Sequence, residues 1–270
     1  MKILAILALC AVKIFALSIV NGEAIVLKFN KNTSEILANG KKIPLVNSLG
    51  SDEKIAIIAA NYRAKNDIKL KITQDGKTTT EIINLIKGDY KSEAFSVAPS
   101  KVKPPKEAKA RIERELAEAN KIYAKTTPKI LLQKPFLLPS NAKITSAFGN
   151  ARTFNGELKS YHSGTDYRAA MGTDVHSVGE GVVVIAKDRY YAGGSVVIDH
   201  GAGVYSQYYH LSKILVKVGD KIGGGDKLGL SGASGRVSGP HLHFGIAING
   251  VSVNPLDFIN KFNKVVFENE

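Results

Sequence analysis

The sequence predicts a mainly β protein: a small N-terminal β-sandwich or barrel over residues 19–98, a long linking helix within 99–126, and a compact β unit over 127–267. Three observations lead to this reading. Short apolar segments alternate with turn dipeptides on both sides of the chain's middle. One charged stretch between them has helical rather than alternating periodicity. Eight glycines crowd the run from Gly219 to Gly239, as tight turns between short strands require.

The elements follow in order. Met1-Lys2, the apolar run Ile3–Val12, Ile14–Leu17 and the small residues Ala16 and Ser18 form an export signal with scission expected after Ser18. Lys13 interrupts the run, which falls short of the ~20 residues that span a bilayer, so a cleaved signal is favoured over an uncleaved membrane anchor. Ala24–Phe29 is a strand, Asn39-Gly40 a hairpin turn, and Ile68, Leu70 and Ile72 alternate with polar residues up to a second turn at Asp75-Gly76. Gly76-Lys77-Thr78 ends like a phosphate loop, but Lys71 stands where that motif needs glycine. Pro104-Pro105 opens the segment Lys106–Lys125, in which Ile112, Leu116, Ala119 and Tyr123 share a helical stripe. Pro128, Pro135 and Pro139 punctuate an extended link, and Val182–Ile185, Ser195–Asp199, Val204–Leu211 and His241–Ile248 are strands of the second unit.

Composition narrows the partners. The formal net charge is +13, and the signal removes Lys2 and Lys13. A basic exported protein suits an anionic wall or envelope polymer, and no nucleic-acid motif is present. The single cysteine, Cys10, lies inside the signal, and Leu9 before it argues against lipidation. No later stretch is long and apolar enough to form a stable membrane span. Oligomeric state is not legible.

All six histidines (162, 176, 200, 210, 241 and 243) fall in the second half. His241 and His243 alternate on one strand and so leave the same face. His162 and Asp166 stand four apart across a Ser-Gly turn. Two histidines and a carboxylate make a three-ligand set with one open position, in which a metal can acidify water and polarise a carbonyl. Spacing does not say which of His241 and His243 binds metal. His200 reads as a turn or packing residue and His176 as an ordinary strand histidine.

These residues carry a resemblance. Ile144–Gly149, His162-Ser163-Gly164-Thr165-Asp166-Tyr167, Tyr208-Tyr209-His210-Leu211-Ser212, Ser238–Phe244 and Val253-Asn254-Pro255 resemble the lysostaphin-type (LytM-like) zinc metallopeptidases, which cut peptide cross-links in peptidoglycan. The resemblance covers about half of the chain. It implies a compact β domain with a groove, Zn²⁺ held by His162, Asp166 and His243, and catalytic roles for His210 and His241. Which of these two is the base stays open. Arg152 and Arg168 flank the first motif and could meet stem-peptide carboxylates. The lysine- and isoleucine-rich sequence is similar to the cell-shape peptidases of helical bacteria such as Campylobacter. That likeness implies a periplasmic DD-endopeptidase on D-Ala–diaminopimelate cross-links, with DD-carboxypeptidase action as a second expectation. The alternative is a non-catalytic wall-binding protein or an activator of other hydrolases. A further expectation is that the N-terminal unit or spacer could cover the groove.

Overall fold

Alternating apolar residues give the N-terminal unit two sheets. The computed structural model describes residues 17–268, so the signal up to position 16 lies outside the described residues. The scission expected after Ser18 falls within the strand Ser18–Val20, which pairs in parallel with Lys77–Ile86. Beyond that pair the five-stranded sheet runs through Ile68–Gln74 and Thr33–Ala38 to Lys41–Lys42. The other sheet has three strands, with Lys54–Ala59 between Ala24–Phe29 and Leu45–Asn47.

The strand Lys54–Ala59 is buried on both faces. Ala56 and Ile58 join Ile36, Ile68, Leu70 and Ile83 between the two sheets. Ile55 and Ile57 point the other way, into a cluster shared with Phe258, Ile259 and Phe262 of the C-terminal helix Pro255–Phe267. That helix starts where Asn254 caps it and Pro255 supplies a preset φ. Lys261 ties it back to Glu23 at 2.8 Å. The two β units therefore share one apolar core.

The second unit is built on an eight-stranded sheet. Its order is Ile144–Ser146, Thr165–Arg168, His241–Ile248, Val204–Leu211, Gly193–Asp199, Gly181–Arg189 and Lys221–Ile222, with Val251–Val253 paired to the far end of His241–Ile248. Alternation splits the strand His241–Ile248 cleanly. Leu242, Phe244, Ile246 and Ile248 enter the shared core, and Ala247 lies in a separate cluster on the opposite face.

The helix Lys106–Tyr123 covers that opposite face. Its buried stripe differs from the expected one. Ala119, Ile122 and Tyr123 pack on Ile185, Val197, Tyr205 and Ala247, whereas Leu116 is 58% exposed. Glu115 faces the sheet instead, accepting from Arg111 Nε at 2.6 Å and from the Tyr190 amide at 2.9 Å. Tyr205 fastens the helix end by donating to the Lys125 carbonyl at 2.6 Å.

A second difference concerns the boundary drawn at residue 98. The strand Ser92–Phe95 does not pair with the N-terminal sheets; it pairs in parallel with Ala151–Phe154 of the second unit. Ahead of it, Tyr90 lies on Gly149, where an added Cβ would come within 2.2 Å of its ring. Tyr62 stacks on Tyr161 at 4.0 Å.

His200 is a packing histidine. It is buried, donates Nδ1–H to the Glu180 carbonyl at 2.7 Å, and accepts at Nε2 from Ser206 Oγ at 2.7 Å. His176 is exposed on the short strand Asp174–His176. Burial pulls His200 down to about 4 from an ordinary 6.5. Between those values the unfolded chain binds a proton that the folded chain refuses, so stability falls as pH drops through that window. Thermal unfolding of the metal-free chain is expected to show a steady Tm above about pH 6.5 and a falling one towards pH 4. His200→Gln should lower Tm at neutral pH, through its lost hydrogen bonds, while flattening that decline.

Candidate metal centre and cleft

Strand register sets the site. Asp166 lies opposite His243 and Arg168 opposite His241 in the antiparallel pair of Thr165–Arg168 with His241–Ile248. Tyr209 lies opposite His243 on the other side. Asp166, His241, His243 and Tyr209 therefore leave one face, while Tyr167, Leu242, Phe244 and Tyr208 go to the core. His162 enters from the turn before Thr165. Gly164 in that turn has no substitute, because a Cβ there would stand 2.4 Å from the Phe244 carbonyl oxygen and 2.6 Å from His243 Nε2.

Three ligand atoms meet in a near-equilateral triangle. His162 Nε2 lies 2.9 Å from Asp166 Oδ1 and 3.0 Å from His243 Nδ1, and His243 Nδ1 is 2.9 Å from Asp166 Oδ1. All three residues are buried. His162 Nδ1 sits 2.8 Å from the Ala147 carbonyl, which can only accept, so that nitrogen holds the proton and Nε2 is a bare lone pair. Burial pulls His162 down to about 4, which keeps the ring neutral at pH 7.

A bare imidazole nitrogen thus faces a carboxylate oxygen across a dry gap. That arrangement repels unless a cation lies between the two. Ligands about 2.1 Å from one tetrahedral ion stand about 3.4 Å apart, so the triangle needs to open by only a few tenths of an ångström. His243 is held by packing rather than by an outer hydrogen bond. Its ring stacks on Tyr209 with centroids 5.4 Å apart and planes 1° off parallel, and its Nε2 is buried without a partner. The donor set and its geometry fit a metal ion.

Two more imidazoles flank the triangle. His210 donates Nδ1–H to the Ser234 carbonyl at 2.8 Å, and His241 does the same to the Gly239 carbonyl at 2.9 Å. Each is left with a bare Nε2, and the rings lie 4.9 Å apart. Burial first, and then His243 and His241, hold His210 well below its ordinary value. Strict alternation would send His210 away from Tyr209, but its φ of 64° turns it back. A non-glycine residue in that region costs about 1–2 kcal/mol.

The two arginines differ. Arg168 is exposed and lines a cleft of about 570 Å³ beside Asp166 and His241. Arg152 lines it too, but its guanidinium is already occupied. It bonds Asp166 Oδ2 at 2.6 Å, Ser146 Oγ at 2.9 Å and Glu93 at 3.4 Å. Its geometry is that of a support for Asp166 rather than a free carboxylate receptor. Glu93 also accepts from Ser146 at 2.7 Å and Asn150 at 2.6 Å, so the N-terminal segment braces the metal centre. Nothing in the sequence around Glu93 signals this.

Substitution should separate the histidines by metal content. His162→Ala, Asp166→Ala and His243→Ala are expected to lose bound zinc, whereas His241→Ala keeps it. Metal analysis of the purified variants, with equal loss from His241→Ala and His243→Ala as the contrary result, checks the division.

The stretch that carries these residues is similar to known proteins. Residues 160–255 match the family described as Peptidase family M23. Over 95 residues the chain is 50% identical to the peptidoglycan DD-endopeptidase ShyA of Vibrio cholerae and 40% identical to the DD-carboxypeptidase/endopeptidase Mpg of Neisseria meningitidis. Each alignment covers 35% of this chain and only 22% of the relative. A crystal structure assigned to peptidase M23, from Pseudomonas aeruginosa, superposes with a TM-score of 0.64 at 28% identity, covering 90% of this chain and 95% of that one. Residues 160–255 form a domain of peptidase family M23.

Proposed function

We propose that this chain is a zinc metallopeptidase acting outside the cytoplasm on peptidoglycan, hydrolysing D-Ala–diaminopimelate bonds in cross-links and, at stem ends, the terminal D-Ala–D-Ala bond. The carrying observation is the pair of bare imidazole nitrogens, on His210 and His241, beside a buried His–Asp–His triangle at the floor of an open cleft. The names of the two relatives above support the substrate and the double activity. No helix among the described residues is long and apolar enough to cross a membrane.

Zinc held by His162 Nε2, Asp166 Oδ1 and His243 Nδ1 would supply Lewis acidity to the amide carbonyl and its attacking water. The protein's own groups then handle protons. The neutral Nε2 of His210 or His241 accepts a proton from water, and once protonated it can donate to the developing oxyanion or to the leaving amine. Because both Nδ1 atoms are tied to backbone carbonyls, both rings keep the tautomer that this work needs. Arg152 holds the second oxygen of Asp166, which fixes the carboxylate's orientation. The walls of the cleft beside Asp166 and His241 include Phe95 and Val97 from the N-terminal segment, so that segment shapes the substrate's path.

Digestion of purified sacculi, with mass spectrometry of the released muropeptides, tests the reading. The zinc-loaded chain should consume cross-linked dimers and shorten pentapeptide ends. Unchanged muropeptides would overturn the assignment. His241→Ala should keep its zinc and lose roughly 10²- to 10⁴-fold in rate, the range of a positioned acid-base group.

A further inference from the structure

Among the described residues, Arg236 is a cation without a counter-charge at the edge of the reaction site. It belongs to the glycine-rich loop between Lys227–Leu230 and His241–Ile248. Its guanidinium carbon lies 4.6 Å from the ring centre of Phe154 and 4.6 Å from that of Tyr191. Its amide donates to the Tyr191 carbonyl at 2.9 Å. Among the described residues, no carboxylate pairs with it. Arg152, by contrast, lies between Glu93 and Asp166. Burial pushes the Arg236 guanidinium below its ordinary value, and Arg152 adds to that, yet an arginine stays charged at neutral pH.

The position of Arg236 matters as much as its charge. It lines the cleft that holds Asp166, His210 and His241, and also a smaller one of about 160 Å³ that holds His162, His210 and His243. The same loop supplies the Ser234 carbonyl that orients His210. A partly desolvated charge is costly unless something pairs with it, and no described residue supplies that carboxylate here. A guanidinium gripped between two rings cannot swing away, and it presents its edge to a planar anion.

We propose that Arg236 binds the free carboxylate carried by the carbon next to the scissile nitrogen, and that this contact selects the bonds the enzyme cuts. The inference rests on the proposed DD-peptidase function and deepens it. In a cross-link through diaminopimelate, the leaving amine sits on a carbon that bears its own carboxylate. In a pentapeptide end, the leaving D-Ala has a carboxylate at the same place. One receptor therefore serves both an endopeptidase and a carboxypeptidase reaction. A bridge in which the leaving nitrogen is followed by a further peptide bond lacks that group, and an uncompensated Arg236 disfavours it.

The test uses the full zinc-loaded chain and two purified cross-linked muropeptide dimers. One has the free carboxylate beside the scissile nitrogen and the other has it converted to carboxamide. The wild type should prefer the free acid by about 10- to 100-fold in kcat/KM, the worth of one charge-assisted bidentate contact. Arg236→Gln should bring the two substrates within about threefold of each other, chiefly by raising KM for the acid. Arg236→Lys should fall between, since it keeps the charge and loses the fork. Equal cleavage of both dimers by the wild type would overturn the inference without any variant, as would full preference in a zinc-loaded Arg236→Gln. Cleavage of neither dimer by the zinc-loaded wild type would instead remove the DD-peptidase reading and this assignment with it.

Discussion

The pairing of Asp166 with His243 across two antiparallel strands is the contact on which the candidate metal centre depends. It places a carboxylate and an imidazole on one face at hydrogen-bonding range, and it sets their neighbours by parity. A slip of one residue would turn Tyr167 and Leu242 into the site and drop Asp166 and His243 into the core. The apolar cluster resists that slip. Tyr167, Leu242, Phe244 and Ile246 are all buried on the inner face, so a register error would bury charge and expose large side chains together. The stability of the core thereby enforces the geometry of the site.

The N-terminal half is bound into the same structure. Ile55 and Ile57 reach the C-terminal helix through one core, and Tyr90 closes over Gly149. The strand Ser92–Phe95 adds to the sheet that carries Arg152 and brings Glu93 to it. From there, hydrogen bonds run in two short routes, through Arg152 to Asp166 and through Ser146 to His162 Nδ1 at 3.1 Å. The N-terminal segment is thus both a brace for the ligands and a wall of the cleft. A role as a detachable cover sits poorly with that shared core.

The two arginines of the cleft show how environment separates identical side chains. Arg152 has carboxylates on either side and serves structure. Arg236 has aromatic rings on either side and, among the described residues, no anion, which leaves its charge available to a ligand. Sequence reasoning singled out Arg152 and Arg168 by their nearness to His162, and it passed over Arg236 because a lone arginine among glycines and small residues has no periodicity to mark it. Likewise the helical stripe was right in period but turned in phase. Leu116 faces out because Glu115 finds hydrogen-bond partners on the sheet, a contact between segments about 75 residues apart.

What the sequence by itself determined was local and periodic. The alternation in His241–Ile248 implied a shared face for its two histidines, the Ser-Gly turn put His162 and Asp166 within reach of each other, and the turn dipeptides announced a mainly β chain. These follow from backbone geometry within a few residues. Only the tertiary structure decided which nitrogen of each ring is free, since that rests on carbonyls at Ala147, Ser234 and Gly239. It also decided that His210 turns inward through a left-handed backbone, that Glu93 crosses from the first unit to brace the second, and that Arg236 stands between two rings rather than beside a described carboxylate. Each of these depends on segments distant in sequence meeting at a few ångströms, and no pattern within one segment encodes it.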